Sequence, residues 1–201
     1  MSEDTTDRSR ISNLERRLED EAGRFRRLVQ VATQLSSTLN LETLLQLIMT
    51  SAAELLDAET SSLLLVDEQT DDLVFEVVAG GPAEDLSKRR VPRGEGIAGW
   101  VVAENRQIII DDASSDSRIY RDVGQSTGFT TRNLVAVPLV AKDRTLGVVE
   151  VLNKHGDERF DDTDVEVAEA LASLAAVAIE NAFLYSKLTD AVVEARLSYR
   201  L

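Results

Sequence analysis

Three groupings of residues in this sequence have types and spacings that can do chemistry. In Pro92-Arg-Gly-Glu-Gly-Ile-Ala-Gly-Trp100, three glycines lead into a short apolar helix. Backbone N–H groups at such a helix start, unshielded by side chains, can hold an anion or a phosphate. The same glycines can also serve geometry alone: Gly94 and Gly96 as positive-φ turn residues, Gly99 as a close helix–sheet contact. Asp111, Asp112 and Asp116 follow a short strand. They could attract a hard cation, but no alternation of Asp about a central Gly is present. Capping of local turns is the reading preferred. Asp157, Glu158, Asp161, Asp162 and Asp164 gather at the start of the last helix and complement its dipole. Lys154 stands ten residues before Asp164, and the two can pair to tie a loop to that helix. Loss of a partly shielded pair through Lys154→Ala should cost about 0.5–2 kcal/mol. His155, without a Ser or Cys partner motif, reads as a surface residue rather than a catalytic base. Trp100 reads as core. Tyr120 fits equally a core position or a stacking platform for a planar ligand.

These groups must be held by regular elements. Ile11, Leu18, Phe25, Ala32 and Leu39 fall seven apart, with Leu14, Leu28 and Leu35 in the second seam position and Glu21 breaking that row. That is a heptad pattern, which predicts a coiled-coil-like N-terminal helix; a single amphipathic helix on its own domain is the alternative. Residues 1–27 hold seven acids and seven bases, and the rest of the chain 29 acids and 15 bases, which places a boundary near Arg27. Asn40 is an N-cap for a helix from about Leu41, with Leu39 and Leu44 able to form a hydrophobic staple. Ser62–Val66 and Leu73–Ala79 flank the polar turn Asp67–Asp72 and predict a hairpin, stopped by Gly80, Gly81 and Pro82. Asn133–Val140 and Leu146–Asn153 predict a second hairpin around a Lys-Asp-Arg turn. A short helix, Ile97–Glu104, a strand, Gln107–Ile110, and an irregular segment, Asp111–Thr131, lie between them. From Asp161 to Leu201 no Gly or Pro interrupts an apolar face at helical spacing. Such a helix is about 60 Å long and should protrude. The expected class is α+β: a central antiparallel sheet of about six strands, terminal helices on one face and a loop-and-short-helix pocket cover on the other.

Composition removes several functions. The 201 residues include no cysteine and one histidine. Disulfides, thiol nucleophiles, thioether-linked groups and His-rich metal constellations are therefore excluded, and no metal site is expected. Thirty-six acids against 22 bases give a net charge of −14. That charge repels nucleic acid and anionic membrane surfaces. Apolar runs such as Leu134–Ala141 are too short to cross a bilayer, and Met1–Arg10 is too polar for a signal peptide. A soluble cytoplasmic protein is expected.

Several of these stretches, in order, resemble the GAF domain of cyclic-nucleotide phosphodiesterases, adenylyl cyclases and sensor kinases. They are Gly94-Glu-Gly-Ile-Ala-Gly-Trp-Val101, Asp116-Ser-Arg-Ile-Tyr120, Thr127-Gly-Phe-Thr-Thr-Arg-Asn133, Val137-Pro-Leu139, Gly147-Val-Val-Glu-Val-Leu-Asn-Lys154 and Ala178-Ile-Glu-Asn-Ala182. The resemblance covers about residues 26–188, with 1–25 as the N-terminal helix and 189–201 as a C-terminal helical extension. It implies that Asn153, Lys154, Phe160 and Asp164 form the family's pocket-stabilising motif. Cyclic-nucleotide-binding members close that motif with Asp-Glu; here Asp164 is followed by Val165. Members that attach bilins through cysteine, reduce methionine sulfoxide with cysteines or ligate haem through a pocket histidine are excluded by residue.

The resemblance further implies a non-enzymatic regulatory sensor without a covalent cofactor, with cAMP or cGMP as leading ligands. Gly96, Ile97 and Ala98, or the helix near Ser115, would meet the phosphate. Asp111 or Asp112, Thr130, Thr131 and Asn133 would read base or ribose, with Tyr120 beside the ring. The chain would form a homodimer through its N- and C-terminal helices. A ligand-free dimerisation and signal-relay module is the alternative, and the presence of a cavity discriminates the two.

Overall fold

A computed structural model describes residues 40–81, 86, 88–156 and 158–198, together with Gly23, and side chains as far as Tyr185 except that of Arg121. The heptad seam and its boundary, the Leu39 half of the staple, Pro82 and Asp157 lie outside the described residues.

Helix α1, Leu41–Leu55, starts where the sequence predicts: Asn40 Oδ1 accepts from the Thr43 N–H at 3.1 Å. Leu44, Leu45, Ile48, Met49, Ala52 and Leu55 form its buried stripe. Then come β1, Ala58–Val66, and β2, Leu73–Gly80, antiparallel and joined by the polar turn. β1 begins at Ala58, four residues before the sequence expectation of Ser62. Its first half is polar yet buried because each hydroxyl finds an acceptor. Thr60 Oγ1 donates to Ala79 O at 2.9 Å, and Ser61 Oγ to Met49 O at 2.5 Å. β3, Arg90–Val91, is a two-residue edge strand that no periodicity could reveal.

Helix α2, Gly96–Glu104, β4, Ile108–Ile110, and helix α3, Arg121–Thr127, form the middle of the chain. α3 lies inside the segment expected to be irregular; its polar Arg-Asp-Val-Gly-Gln-Ser-Thr run has no apolar period and ends on Gly128 at φ 70°. β5, Leu134–Ala141, and β6, Arg144–Lys154, make the second hairpin. α4, Asp162–Ser198, closes the chain.

The strands form one antiparallel sheet in the order β3-β2-β1-β6-β5-β4. α1 and α4 cover one face, α4 on β5 and α1 on β1 and β2, as the sequence reading expects. Asp162–Tyr185 contains an 18-residue window apolar enough, by length and composition, to cross a membrane. Its Val165, Val167, Ala168, Leu171, Ala172, Ala175 and Ala176 are buried while Val177, Phe183 and Leu184 are exposed, so core packing accounts for part of that composition. The other sheet face meets a second core built from Leu64, Phe75, Leu134, Ala136 and Val148 on the strands and Ile97, Ala98 and Val101 on α2.

The glycine-rich turn before α2 has a steric reason. Gly94 and Gly96 sit at φ 76° and 74°. A Cβ on Gly99 would lie 2.6 Å from the Gly94 carbonyl carbon, so Gly99 makes room for its own entry loop. Gly99→Ala should therefore lower stability by about 1–3 kcal/mol through overpacking. A melting temperature equal to wild type would show that the loop can yield.

Candidate functional site

A cavity of about 580 Å³ lies between the sheet's second face and the middle segment. β1 contributes Thr60, Ser62 and Leu64 to its lining, and β6 contributes Glu150 and Leu152. The cover adds Gly96–Ala98, Tyr120 and Phe129. The walls are mainly apolar, with aromatic rings from Phe75, Tyr120 and Phe129 and a few hydroxyls and one carboxyl among them. That combination suits a planar molecule whose orientation a few polar contacts fix.

At the mouth of α2 the N–H groups of Gly96, Ile97 and Ala98 take no acceptor from the described residues, since Glu95 makes no side-chain cap. A Cβ on Gly96 would come within 3.0 Å of Tyr120 Cβ, so a side chain there would crowd the ring. The Tyr120 hydroxyl donates to Asp122 Oδ2 at 3.3 Å, and burial followed by the Asp122 charge pushes its pKa up.

The pocket rim hangs on β6. Asn153, buried and at φ 61°, accepts from the Arg132 N–H at 2.7 Å through Oδ1. Its Nδ2 donates to Thr130 O at 2.9 Å and to Glu59 Oε2 at 2.8 Å. The Asn153 amide, with Arg132 beside it, holds the Glu59 carboxyl below the usual carboxylate range. Lys154 donates through Nζ to Asp164 Oδ2 and lies 5.4 Å from the centre of the buried Phe160 ring. Asp161 and Asp164 cap α4 reciprocally: each N–H donates to the other's carboxylate at 3.0 Å. Asn153, Lys154, Phe160 and Asp164 thus join the rim, the last strand and the last helix.

A family model described as the GAF domain matches residues 38–180. This chain belongs to the GAF domain family. It is 31% identical over 150 residues to a probable 3',5'-cyclic phosphodiesterase, pde-5, of Caenorhabditis elegans, covering 70% of this chain and 20% of that protein. It is 28% identical over 168 residues to the dual 3',5'-cyclic-AMP and -GMP phosphodiesterase 11A of Takifugu rubripes, covering 79% of this chain and 19% of that one. The chain therefore spans about a fifth of the length of these relatives. Among solved structures, the GAF domain of a phosphoenolpyruvate-protein phosphotransferase from Coxiella burnetii superposes with a TM-score of 0.73 at 22% identity, covering 82% of this chain and 96% of that one. That likeness shows the fold.

Within the GAF cavity, six of the ligand candidates read from sequence line the wall: Gly96, Ile97, Ala98, Tyr120, Thr130 and Thr131. Asp111, Asp112, Ser115 and Asn133 do not, and each has another partner. Asp111 pairs with Arg159 at 3.0 Å. Asp112 Oδ1 accepts from the Ser114 hydroxyl and N–H, which hold its carboxyl below the ordinary range. Ser115 Oγ donates to Asp112 O at 3.0 Å, and its neighbour Ser114 faces the cavity instead. Asn133 Oδ1 accepts from the Lys154 N–H at 2.9 Å. Asp116 binds the Arg118 guanidinium at 2.6 Å, which in turn lies 5.1 Å over Trp100. Trp100 is thus half-buried at the edge of the core. His155 is exposed and meets Asp57 at 3.0 Å.

Sequence reading missed Glu150, Ser62 and Thr60. A signal was present: Glu150 is the lone charge in Val148-Val149-Glu150-Val151-Leu152. Charged residues are rarely placed inside a buried strand without a reason.

Proposed function

We propose that this GAF domain is a regulatory sensor that binds a planar small molecule non-covalently, with cAMP or cGMP as the leading ligands. The observation that carries the reading is the cavity of about 580 Å³ between sheet and cover, within the size range of small-molecule sites. The phosphodiesterase relatives support the choice of cyclic nucleotides. In this reading the N–H groups of Gly96–Ala98, which take no acceptor among the described residues, meet the phosphate, local dipoles outweighing the net charge at contact range. Tyr120 stacks on the base, and Thr130 and Thr131 address base or ribose. The motif Asn153, Lys154, Phe160 and Asp164 keeps the pocket in shape. The signal leaves through the terminal helices, 1–25 and 189–201 flanking a domain at 26–188, in a cytoplasmic homodimer.

One observation favours the second reading, a ligand-free dimerisation module: Val177 and Leu184 on α4 are 59% and 48% exposed, large apolar residues on a face that suits a partner helix. A thermal-shift screen against cAMP, cGMP and other nucleotides decides between the two. A true ligand at 100 times its Kd adds about 2.7 kcal/mol of stability. A selective rise in melting temperature is the expected result. No shift with any nucleotide, after denaturation and mass spectrometry exclude a co-purified ligand, favours the helix-mediated module.

A further inference from the structure

The cover of the cavity is fastened unequally. Its two ends are pinned to each other and to β6. The Ala113 N–H donates to Arg132 O at 2.7 Å, and the Arg132 N–H to Asn153 Oδ1 at 2.7 Å. Asn153 Nδ2 donates to Thr130 O at 2.9 Å. Beside the first end, Asp116 holds the Arg118 guanidinium 5.1 Å over the Trp100 ring of α2. Residues 114–131 therefore leave and return at one place. In the middle of this loop sits α3. Val123 is the apolar side chain that α3 sets against the core. Val123, Gly124 and Gln125 line the cavity, so part of what lies beneath α3 is open space. Its other bonds stay local: the Tyr120 hydroxyl donates to Asp122, Thr127 Oγ1 to Val123 O and the Gly128 N–H to Gly124 O.

Among the described side chains, one hydrogen-bonds α3 from outside the loop. Arg89 donates through Nη1 to Ser126 Oγ and through Nη2 to Asp122 O at 3.2 Å. The two acceptors stand four residues apart, on one face of the helix, so a single guanidinium fork reaches both. The backbone of Arg89 is fixed on the sheet, where its carbonyl accepts from the Phe75 N–H of β2 at 2.9 Å. We propose that Arg89 is the latch of a hinged lid, residues 114–131, that gates the cavity. With the fork engaged, α3 stays closed over the cavity. With the fork released, the lid swings on its pinned ends while the sheet, α1 and α4 keep their places. A segment held across by so few bonds opens as a unit, well below the cost of global unfolding. The latch sets the rate of entry and exit for whatever molecule fits the cavity, so it rests on no choice of ligand.

The first test is amide hydrogen exchange of the full chain, read by mass spectrometry. In Arg89→Ala, exchange across 114–131 should rise about tenfold, with the sheet and α1 unchanged. Ser126→Ala, which removes one of the two acceptors, should give a smaller rise. The double variant should exchange no faster than Arg89→Ala, because both substitutions break the same fork. The second test is stopped-flow uptake of an uncharged apolar dye, N-phenyl-1-naphthylamine. A gate changes both directions alike, so association and dissociation should quicken by the same factor in Arg89→Ala while Kd stays put. Exchange that is unchanged in the lid, or raised equally in the sheet, overturns the latch. So does a Ser126→Ala effect that adds in full to that of Arg89→Ala. Faster dissociation with unchanged association would make Arg89 a support of the cavity wall and overturn the gate, as would uptake by neither protein.

Discussion

Lys154→Ala is expected to lower the stability of the domain by about 3–5 kcal/mol, read by urea denaturation at neutral pH. The sequence estimate of about 0.5–2 kcal/mol assumes a partly shielded pair. In the fold the two side chains are 7% and 1% exposed, so truncating the lysine strands a carboxylate away from water. Asp164 cannot move toward solvent to escape, because it also accepts from the Asp161 N–H and donates its own N–H to Asp161 in the cap of α4. The loss should reach the pocket only through a shift of β6, since the backbone N–H of residue 154, which the variant keeps, is the donor that positions Asn133 at the rim. Adding Asp164→Asn to Lys154→Ala removes the stranded charge while keeping a capping oxygen, and should recover part of the loss. A loss below about 1 kcal/mol for Lys154→Ala would mean that water reaches Asp164 and that the pair is not what fixes β6 to α4.

The sheet, its hairpins and the helices that cover it were legible because each rests on a local signal. Asn40 caps, the Asp67–Asp72 turn is polar and the hairpin strands are largely apolar. β3 and α3 were not, for the converse reason: they are short, polar and held by tertiary contacts. Arg89, just before β3, donates to Ser126 Oγ and, at 3.2 Å, to Asp122 O, tying α3 in place. No one-dimensional pattern encodes that bond. The site divides in the same way. Gly96–Ala98, Tyr120, Thr130 and Thr131 line the cavity. Asp111, Asp112 and Asn133, expected beside Thr130 and Thr131 as readers of base or ribose, are instead engaged by neighbours that sequence spacing does not reveal. Glu150 shows the reverse: its environment, rather than its neighbours in sequence, gives it chemistry.

Glu150→Gln is expected to stabilise the protein at pH 8 and to leave it nearly unchanged near pH 4.5. The folded carboxyl is pushed from its ordinary 4.5 to about 7, so between those values the native state keeps a proton that the unfolded chain has lost. Stability from this group is therefore complete below about 4.5 and falls as pH rises through 7. The whole shift corresponds to at most about 3 kcal/mol, and access of water from the cavity reduces it. The difference between variant and wild type should accordingly widen with pH in denaturation experiments at pH 5 and pH 8. An equal difference at both would mean that the carboxyl is fully solvated and its burial costs nothing. The sign matters for function. A ligand that brings N–H donors to the ionised carboxyl offsets the same cost, so it should stabilise the domain more at pH 8 than at pH 5. A strand position that weakens the empty domain thereby supplies a contact whose strength depends on what fills the cavity.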